Sequence, residues 1–396
     1  MPRPLPAHLA SATMLWASSR AGLTNLSAGL PPASATPRLR ALAHEIAQAG
    51  AERVAEALDR ELCRRADGFL TGLERYRRHP YRRHPEAGAV IWQEGSTRLV
   101  DYGGGRAGRT VLVIPSLINR FYILDLLPER SFLRALATAG LRPLVVDWGA
   151  PGRAERGFGL DEYIAGRLDR MMTAASGGGQ VAVIGYCMGG LLALALALRR
   201  IDRVAGLALL ATPWDFHAER PEQARLLATV MQAASLLPMA EDAIPLAVIQ
   251  GLFMMLDPFL AERKFVRFAG FDPASEAARN FVALEDWLND GVPLARETAL
   301  ACALSWYRDN EPKWGKWRVA GERVDPGRFA KPALVVVPSR DRIVPPRSAE
   351  ALGAALPQAT TMRPALGHIG MMSAAAAPDL VWAPIVEWLH ARLTAT

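Results

Sequence analysis

The stretch VAVIGYCMGG at residues 181–190 decides the fold of this chain. Four apolar residues lead into a G-x-C-x-G-G pattern that has Cys187 at its centre. The run LLALALAL at 191–198 follows, and its leucine and alanine content favours a helix. The stretch therefore predicts a buried strand, a sharp turn and a helix, with the Cys187 side chain displayed at the turn.

This spacing is typical of a nucleophile elbow, a strained turn that holds a nucleophile above the end of a sheet. Gly185 and Gly189 have no Cβ atom, so the strand and the helix can approach each other closely. The helix N-terminus favours a thiolate at Cys187 and can supply an amide for an oxyanion. The alternative is a buried structural cysteine in a glycine-rich turn.

Apolar segments that alternate with helical patterns place the elbow in an α/β fold. Residues 90–92 and 98–102 are a predicted antiparallel pair. Buried strands are predicted at 110–114, 143–147, 181–184, 205–210 and 333–337, with a short strand near 360–362 and helices at 131–139 and 380–393. The fold class is an α/β-hydrolase fold, a mostly parallel sheet flanked by helices, with a helical cap insertion.

The domain organisation follows from these strands. Residues 89–213 and 321–396 are the two parts of the α/β core, and 214–320 is too long for a loop. We interpret 214–320 as a cap over the catalytic end of the sheet; the alternative is a separate packing domain. Residues 1–88 are an N-terminal helical and linker region, loosely ordered up to about residue 36. The repeated YRRHP at 76–80 and 81–85 is expected to be a basic linker.

Composition limits the class of protein. Of 396 residues, 51% are hydrophobic and 21% are charged, which indicates a globular chain. The net charge of +7 suits an anionic substrate such as an acyl-CoA. Cys63, Cys187 and Cys302 lie far apart, which supports neither a disulfide framework nor a zinc site and fits a reducing cytoplasm. No transmembrane segment or signal peptide is predicted.

Two further residues complete a candidate catalytic set with Cys187. Asp341 follows the predicted strand 333–337, and His368 lies in a glycine-flanked loop, LGHIG. The order nucleophile, acid, histidine is the order of α/β-hydrolase triads. His390 lies in the predicted C-terminal helix and is expected to be structural. The alternative is that Asp341 and His368 are ordinary surface-loop residues.

The oxyanion hole is predicted to use two backbone amides. One is the amide of Met188, directly after the nucleophile. The other follows the strand that ends at Pro115, with Leu117 and Ile118 as candidates. Asn119 and Arg120 are predicted to shape the substrate entrance.

Several motifs resemble the polyhydroxyalkanoate (poly-3-hydroxybutyrate) synthase family, and the class III-like catalytic subunits in particular. The resemblance runs from about residue 111 to the C-terminus. It is carried by SLINRFYILDL at 116–126, VDWG at 146–149, LDEYI at 160–164, TPWDF at 212–216, DRIVP at 341–345 and GHIG at 367–370. Two departures stand out: Arg342 follows Asp341 where the family often has histidine, and the first hundred residues are too few for the N-terminal domain of class I synthases.

The resemblance implies a set of functional expectations. Cys187 would be the nucleophile, Asp341 the acid and His368 the base of an acyltransferase. This enzyme would polymerise 3-hydroxyacyl-CoA thioesters into polyhydroxyalkanoate and release coenzyme A, without a metal or redox cofactor. The implied partners are the hydroxyacyl-CoA substrate, a second synthase subunit or a homodimer, and the surface of cytoplasmic polyester granules; nucleic acid is not expected.

Two other functions use the same residues differently. A cysteine hydrolase, either a thioesterase or a polyester depolymerase, would share all three side chains and would pass the acyl group to water. A granule-bound scaffold would keep the fold without any catalysis. The form of the acyl product separates the first alternative from polymerisation, and acylation of Cys187 excludes the second.

Overall fold

The computed structural model describes residues 1–27, 36–83, 88–105, 108–236 and 242–393. The chain divides into two compact units. The helical unit comprises Met1–Arg82 and Phe253–Glu285, and the sheet unit comprises Arg83–Leu252 and Asp286–Thr396. The segment predicted as one cap, 214–320, is thus shared between them: its middle part belongs with the N-terminal helices.

The sheet unit is built on eight strands. They are β1 (Ala89–Glu94), β2 (Thr97–Asp101), β3 (Arg109–Ile114), β4 (Leu141–Asp147), β5 (Val181–Tyr186), β6 (Val204–Leu210), β7 (Ala333–Val336) and β8 (Ala359–Met362). Their order is β1-β2-β4-β3-β5-β6-β7-β8. The β1–β2 and β2–β4 pairs are antiparallel and the other pairs are parallel, so the predicted sheet is confirmed.

Helices account for most of the remaining regular structure in both units. Those of six or more residues are α1 (Leu5–Ser27), α2 (Pro37–Ala49), α3 (Ala51–Arg78), α4 (Phe132–Thr138), α5 (Asp169–Ser176), α6 (Met188–Arg199), α7 (Pro221–Ser235), α8 (Leu246–Met254), α9 (Leu260–Ala269), α10 (Glu276–Asn289), α11 (Arg296–Ala301), α12 (Pro346–Ala355) and α13 (Ala383–Leu393). Wide π-type turns occupy Glu162–Leu168, Cys302–Arg308 and Pro378–Trp382.

The core of the sheet unit lies around the central strands. Strand β5 is buried at all six positions, as expected for a strand that is covered on both faces. Helix α6 is buried from Met188 through Ala197, so its apolar composition matches a helix enclosed on all sides. The carboxyl ends of the parallel strands β5, β7 and β8 lie at one edge of the sheet, and the loops with Cys187, Asp341 and His368 begin there.

The N-terminal region differs from its prediction in two places. Residues 5–27 form helix α1, so the expectation of a loosely ordered start is wrong there; Pro4 and Pro6 lie at the beginning of the helix, where proline is tolerated. The first YRRHP copy was expected to be a linker, but Tyr76–Arg78 is the last turn of α3. Of the second copy, His84 and Pro85 lie outside the described residues.

The helical unit has its own apolar core. The aromatic face of α3 packs on α9, with the Tyr76 and Phe265 rings 5.7 Å apart and the Phe69 and Phe265 rings 6.2 Å apart. Phe268 stacks on Phe281 at 4.2 Å. This packing explains why residues 253–285 belong with helices that lie about 180 residues earlier in the sequence.

Candidate functional site

The elbow places Cys187 in a strained backbone conformation. Cys187 lies between the end of β5 and the start of α6, with φ 56° and ψ −129°. A positive φ is uncommon for a residue with a side chain and persists where the surroundings enforce it. The Cys187 amide donates to the Leu210 carbonyl at 2.8 Å, which ties the turn to the end of β6. The thiol is partly buried.

Two glycines allow this geometry, as the sequence predicted. A Cβ atom at Gly185 would lie 2.4 Å from the Gly190 Cα atom, and one at Gly189 would lie 2.2 Å from the Ile114 carbonyl oxygen. Real Cβ atoms are not found at such distances from backbone. The strand and the helix can therefore meet at this angle only because both positions lack a side chain.

His368 and Asp341 lie together beside the elbow. The His368 Nδ1–H group donates to Asp341 Oδ2 at 2.7 Å, and both side chains are almost fully buried. The other oxygen of Asp341 accepts from the amides of Ile343 and Val344 at 2.8 and 2.9 Å. These bonds fix the carboxylate, which in turn fixes the orientation of the imidazole. The structure thus brings all three predicted side chains together, since the Cys187 side chain lies close enough to His368 to raise the pKa of its imidazole.

The electrostatics of the site favour a charged imidazole. Burial lowers the pKa of His368, but the charge of Cys187 and the hydrogen bond that His368 donates to Asp341 act against it. The combined influence of the Cys187 and Asp341 side chains outweighs burial and raises the pKa of His368 to about 10. The site therefore stabilises the imidazolium form of His368 between Cys187 and Asp341.

Tyr186 is a site residue that the sequence analysis missed. Its hydroxyl donates to the backbone carbonyl of His368 at 3.1 Å, and the two rings lie 5.4 Å apart. Burial, with the charges of Cys187 and Asp341, raises the pKa of Tyr186 well above its ordinary value, so the phenol stays protonated as a donor. Its position directly before the nucleophile was the only available signal. The bond links the elbow to the histidine loop.

The predicted oxyanion amides belong to two backbone segments that the side chain of Ser116 connects. Met188 starts α6, where the first amides of a helix have no intrahelical partner. Ser116 connects the two segments: its hydroxyl accepts from the Ile118 amide at 3.2 Å and contacts the Met188 sulfur at 3.9 Å. The Ile118 amide is therefore already engaged, whereas the Leu117 amide makes no hydrogen bond within the described part of the chain.

The predicted entrance residues line a depression in the surface of the sheet unit. Its walls are formed by Leu117, Asn119, Arg120, Phe121, Asp147, Trp148, Gly149 and Val292. Arg120 pairs with Asp290 at 3.1 Å, and its carbonyl accepts from the Trp287 indole at 2.8 Å. The Val292 amide donates to the Ile118 carbonyl at 3.1 Å. Parts of the insertion thus contact the loop after β3.

The remaining sequence candidates lie apart from these contacts. Arg342 is exposed beside Asp341, and Cys63 is exposed on α3. His390 bonds the Ala139 carbonyl at 3.0 Å, in keeping with a structural position. Within the described ranges, no cluster of three metal-ligating side chains occurs. None of the described helices has both the length and the apolar character needed to cross a bilayer.

Comparisons with known proteins identify the relatives of the chain. A family model described as the alpha/beta hydrolase fold matches residues 109–375. The poly(3-hydroxyalkanoate) polymerase subunit PhaC of Allochromatium vinosum is 30% identical over 291 residues, which cover 71% of this chain and 81% of that protein. The subunit of the same name from Synechocystis sp. is 30% identical over 71% of this chain and 78% of its own length.

A longer relative and a solved structure complete the comparison. The PhaC subunit of Haloferax mediterranei is 27% identical over 76% of this chain, and the matched region spans 63% of that protein. The structure of BpoC from Mycobacterium tuberculosis H37Rv superposes with a TM-score of 0.50 over 78% of this chain and 99% of that one, at 18% identity. At this identity the structural similarity concerns the fold alone.

Proposed function

The chain belongs to the PhaC family of poly(3-hydroxyalkanoate) polymerase subunits, and on that premise we propose that it polymerises the acyl groups of 3-hydroxyacyl-CoA thioesters. One observation carries the proposal: at a nucleophile elbow, Cys187 lies beside His368, whose imidazole is hydrogen-bonded to Asp341 at 2.7 Å. A nucleophile, a base and a group that orients the base are what covalent acyl transfer requires.

The first half-reaction loads the acyl group. The Cys187 thiolate attacks the carbonyl carbon of the thioester, and the resulting oxyanion is stabilised by the amides of Met188 and Leu117. The bond between the carbonyl carbon and the coenzyme A sulfur then breaks. The imidazolium of His368 gives its proton to the leaving thiolate, so that coenzyme A departs as a thiol and Cys187 carries a thioester.

The second half-reaction extends the chain. Acylation removes the negative charge of Cys187, and with it one of the causes that raise the pKa of His368. Neutral His368 then accepts the proton of the 3-hydroxyl group of a second hydroxyacyl-CoA, whose oxygen attacks the thioester. The ester forms, the Cys187 thiolate leaves, and the imidazolium is restored. The lengthened acyl-CoA can acylate Cys187 again.

Asp341 supports both steps without touching the substrate. Its carboxylate keeps the proton of His368 on Nδ1, which leaves Nε2 for the exchange with Cys187 and the substrate. Thiolate and imidazole carry all charge and proton movements, so the proposed reaction uses neither a metal nor a redox cofactor. We extend the proposal to a cytoplasmic protein that works with a second synthase subunit or as a homodimer at the surface of polyester granules.

Hydrolysis is the second candidate function, and the partial exposure of Cys187 favours it. A thioester that waits at a site open to solvent can pass its acyl group to water instead of an alcohol. The same three side chains would then act as a thioesterase or a polyester depolymerase. The fate of the acyl-enzyme separates the two functions.

The test incubates the purified chain with 3-hydroxybutyryl-CoA and follows both products. Released coenzyme A is measured with a thiol reagent, and the acyl product is identified by mass spectrometry after acid methanolysis and, separately, without it. Polymerisation yields ester-linked oligomers that become monomer methyl esters only after methanolysis. Release of free 3-hydroxybutyrate in proportion to coenzyme A would establish hydrolysis, and the absence of both products would contradict the proposed function.

A further inference from the structure

The wide turn Cys302–Arg308 presents Tyr307 to the same edge of the sheet as Cys187. Strands β5 and β6 pair in parallel with Tyr186 opposite Leu210, so the residues that follow them leave the sheet side by side. Cys187 follows β5, and the segment 211–217 follows β6. Tyr307 is fastened to that second segment: the His217 Nε2 atom bonds the Tyr307 carbonyl at 2.8 Å.

Hydrogen bonds between Asn310 and both Asp215 and Phe216 stabilise this contact between the wide turn and segment 211–217. The Phe216 amide donates to Asn310 Oδ1 at 2.9 Å, and Asn310 Nδ2 donates to Asp215 Oδ1 at 2.9 Å. The Phe216 ring also meets the Tyr307 ring edge-on at 4.9 Å. Such wide helical turns often occur at functional sites. The position of the Tyr307 ring is therefore set by the loop beside the elbow.

The Tyr307 hydroxyl has no hydrogen-bond partner in the described part of the chain, although Tyr307 is only partly exposed. Tyr186 is the other tyrosine whose pKa is raised by the charge of Cys187, and its hydroxyl donates a hydrogen bond to the His368 carbonyl. Burial and the charge of Cys187 raise the pKa of Tyr307, which keeps its phenol protonated near the nucleophile.

Through Phe216, the Tyr307 ring adjoins a cluster of aromatic side chains. Phe216 and Trp306 stack at 5.9 Å on one side, and Trp306 meets Trp317 at 5.4 Å. A short acyl chain suits such walls, but a hydroxyl group carried into them is unfavourable unless it finds a hydrogen-bond partner. A phenol supplies both a donor and an acceptor.

We propose that the Tyr307 hydroxyl hydrogen-bonds the 3-hydroxyl group of the acyl chain at Cys187 and thereby selects 3-hydroxyacyl thioesters over unsubstituted ones. This inference rests on the proposed function, because it concerns the same acyl group. A site built to hydrogen-bond a substrate hydroxyl discriminates against the analogue that lacks it, since the site's own polar group is then left unpaired. Tyr307 is thus assigned as a specificity-determining residue.

The test compares two substrates and two tyrosines. Acylation of Cys187 is followed as the burst of released coenzyme A with 3-hydroxybutyryl-CoA and with butyryl-CoA. The Tyr307→Phe variant should lower the acylation rate with the hydroxylated substrate by about 10-fold and change the rate with butyryl-CoA by less than about twofold. Tyr163→Phe is the matched control, because Tyr163 is also buried in the sheet unit, but the charge that raises its pKa is that of Glu155 and not that of Cys187. It should leave the preference unchanged.

Equilibrium binding separates this inference from the proposed function. In the Cys187→Ala background, the dissociation constants of the two thioesters are measured by calorimetry with and without Tyr307→Phe. A preference for 3-hydroxybutyryl-CoA that disappears with the phenol supports the inference even if the wild-type chain makes no polymer. Equal losses for both thioesters, or no change in preference in either assay, would overturn it.

Discussion

The elbow at residues 186–190 and the wide helical turn Cys302–Arg308 each contain one cysteine of the sheet unit. Cys187 has a positive φ and lies at the start of a helix in contact with His368. Cys302 has ordinary helical angles, φ −60° and ψ −48°, and burial raises the pKa of its thiol far above the usual range. The same side chain therefore lies beside an acid–base partner in one place and is kept protonated by burial in the other.

The difference shows what makes a cysteine reactive. Burial alone disfavours the thiolate, as it does at Cys302. At Cys187 the neighbouring His368 imidazole, whose pKa is raised to about 10, supplies a positive charge beside the thiol, and Cys302 has no such neighbour among the causes of its pKa shift. The reactivity of a cysteine is thus set by the groups packed around it at the edge of the sheet, and not by residue type alone.

The largest effect is expected from removal of the nucleophile. Cys187→Ala should lower the release of coenzyme A from 3-hydroxybutyryl-CoA by on the order of 10⁴-fold or more, because no other group in the elbow can form the thioester. Cys187→Ser should leave at most trace activity, since an alkoxide is much harder to generate than a thiolate. Steady-state release of coenzyme A measures both; near-normal turnover in either variant, with the fold intact by circular dichroism, would refute the assignment.

The acid and the base should differ in importance. His368→Gln should stop both half-reactions, whereas Asp341→Asn should lower the rate by roughly 10³- to 10⁴-fold, because Asp341 only orients and stabilises the imidazole. Rapid-mixing experiments separate the first burst of coenzyme A from later elongation. A normal burst in Asp341→Asn, followed by complete arrest of elongation, would instead assign the base role in the second step to Asp341.

The elbow could be predicted because its determinants are contiguous. The apolar strand, the glycines and the helix-forming run lie within residues 181–198, so local rules suffice. Asp341 and His368 could be predicted from their order and from their positions after strands. The 2.7 Å bond between His368 Nδ1 and Asp341 Oδ2, and the bond from the Tyr186 hydroxyl to the His368 carbonyl, depend on how separate loops pack together. The sequence alone does not predict that packing.

The helical unit shows the opposite case. Apolar residues such as Val54, Leu58 and Leu62 recur in α3 near helical spacing, which is typical of an amphipathic helix, but this pattern does not identify the partner of the apolar face. That partner is α9, which the sequence analysis assigned to the cap. The wide turn Cys302–Arg308 was also missed, because a π-type turn has the composition of an ordinary helix and arises from packing around it.

The third prediction concerns the proton on His368. Its pKa of about 10 lies above the 6.5 of an unperturbed histidine, so the bound proton stabilises the folded state fully below about pH 6.5 and this contribution is lost as the pH rises through about 10. In Cys187→Ala the charge and hydrogen bond of the cysteine are removed while burial remains, so the midpoint should fall below 10. NMR titration of ¹⁵N-labelled histidine measures this, and Cys302→Ala, as control, should keep the wild-type midpoint. An unchanged midpoint in Cys187→Ala would contradict the proposed thiolate–imidazolium contact.

The smallest effect is expected at the second cysteine. Cys302→Ala should leave the rate of coenzyme A release within about twofold of wild type, because a buried thiol with a raised pKa and no basic partner takes no part in acyl transfer. Loss of its sulfur from a packed turn should lower the free energy of unfolding by about 1 kcal/mol, as is usual for a small deletion in a core. Urea denaturation and the activity assay are run on the same preparation. Cys302 begins the turn that ends near Tyr307, so a tenfold loss of activity in a stably folded Cys302→Ala variant would show that the geometry of this turn controls the site, and the contrast between a reactive elbow and an inert turn would no longer hold.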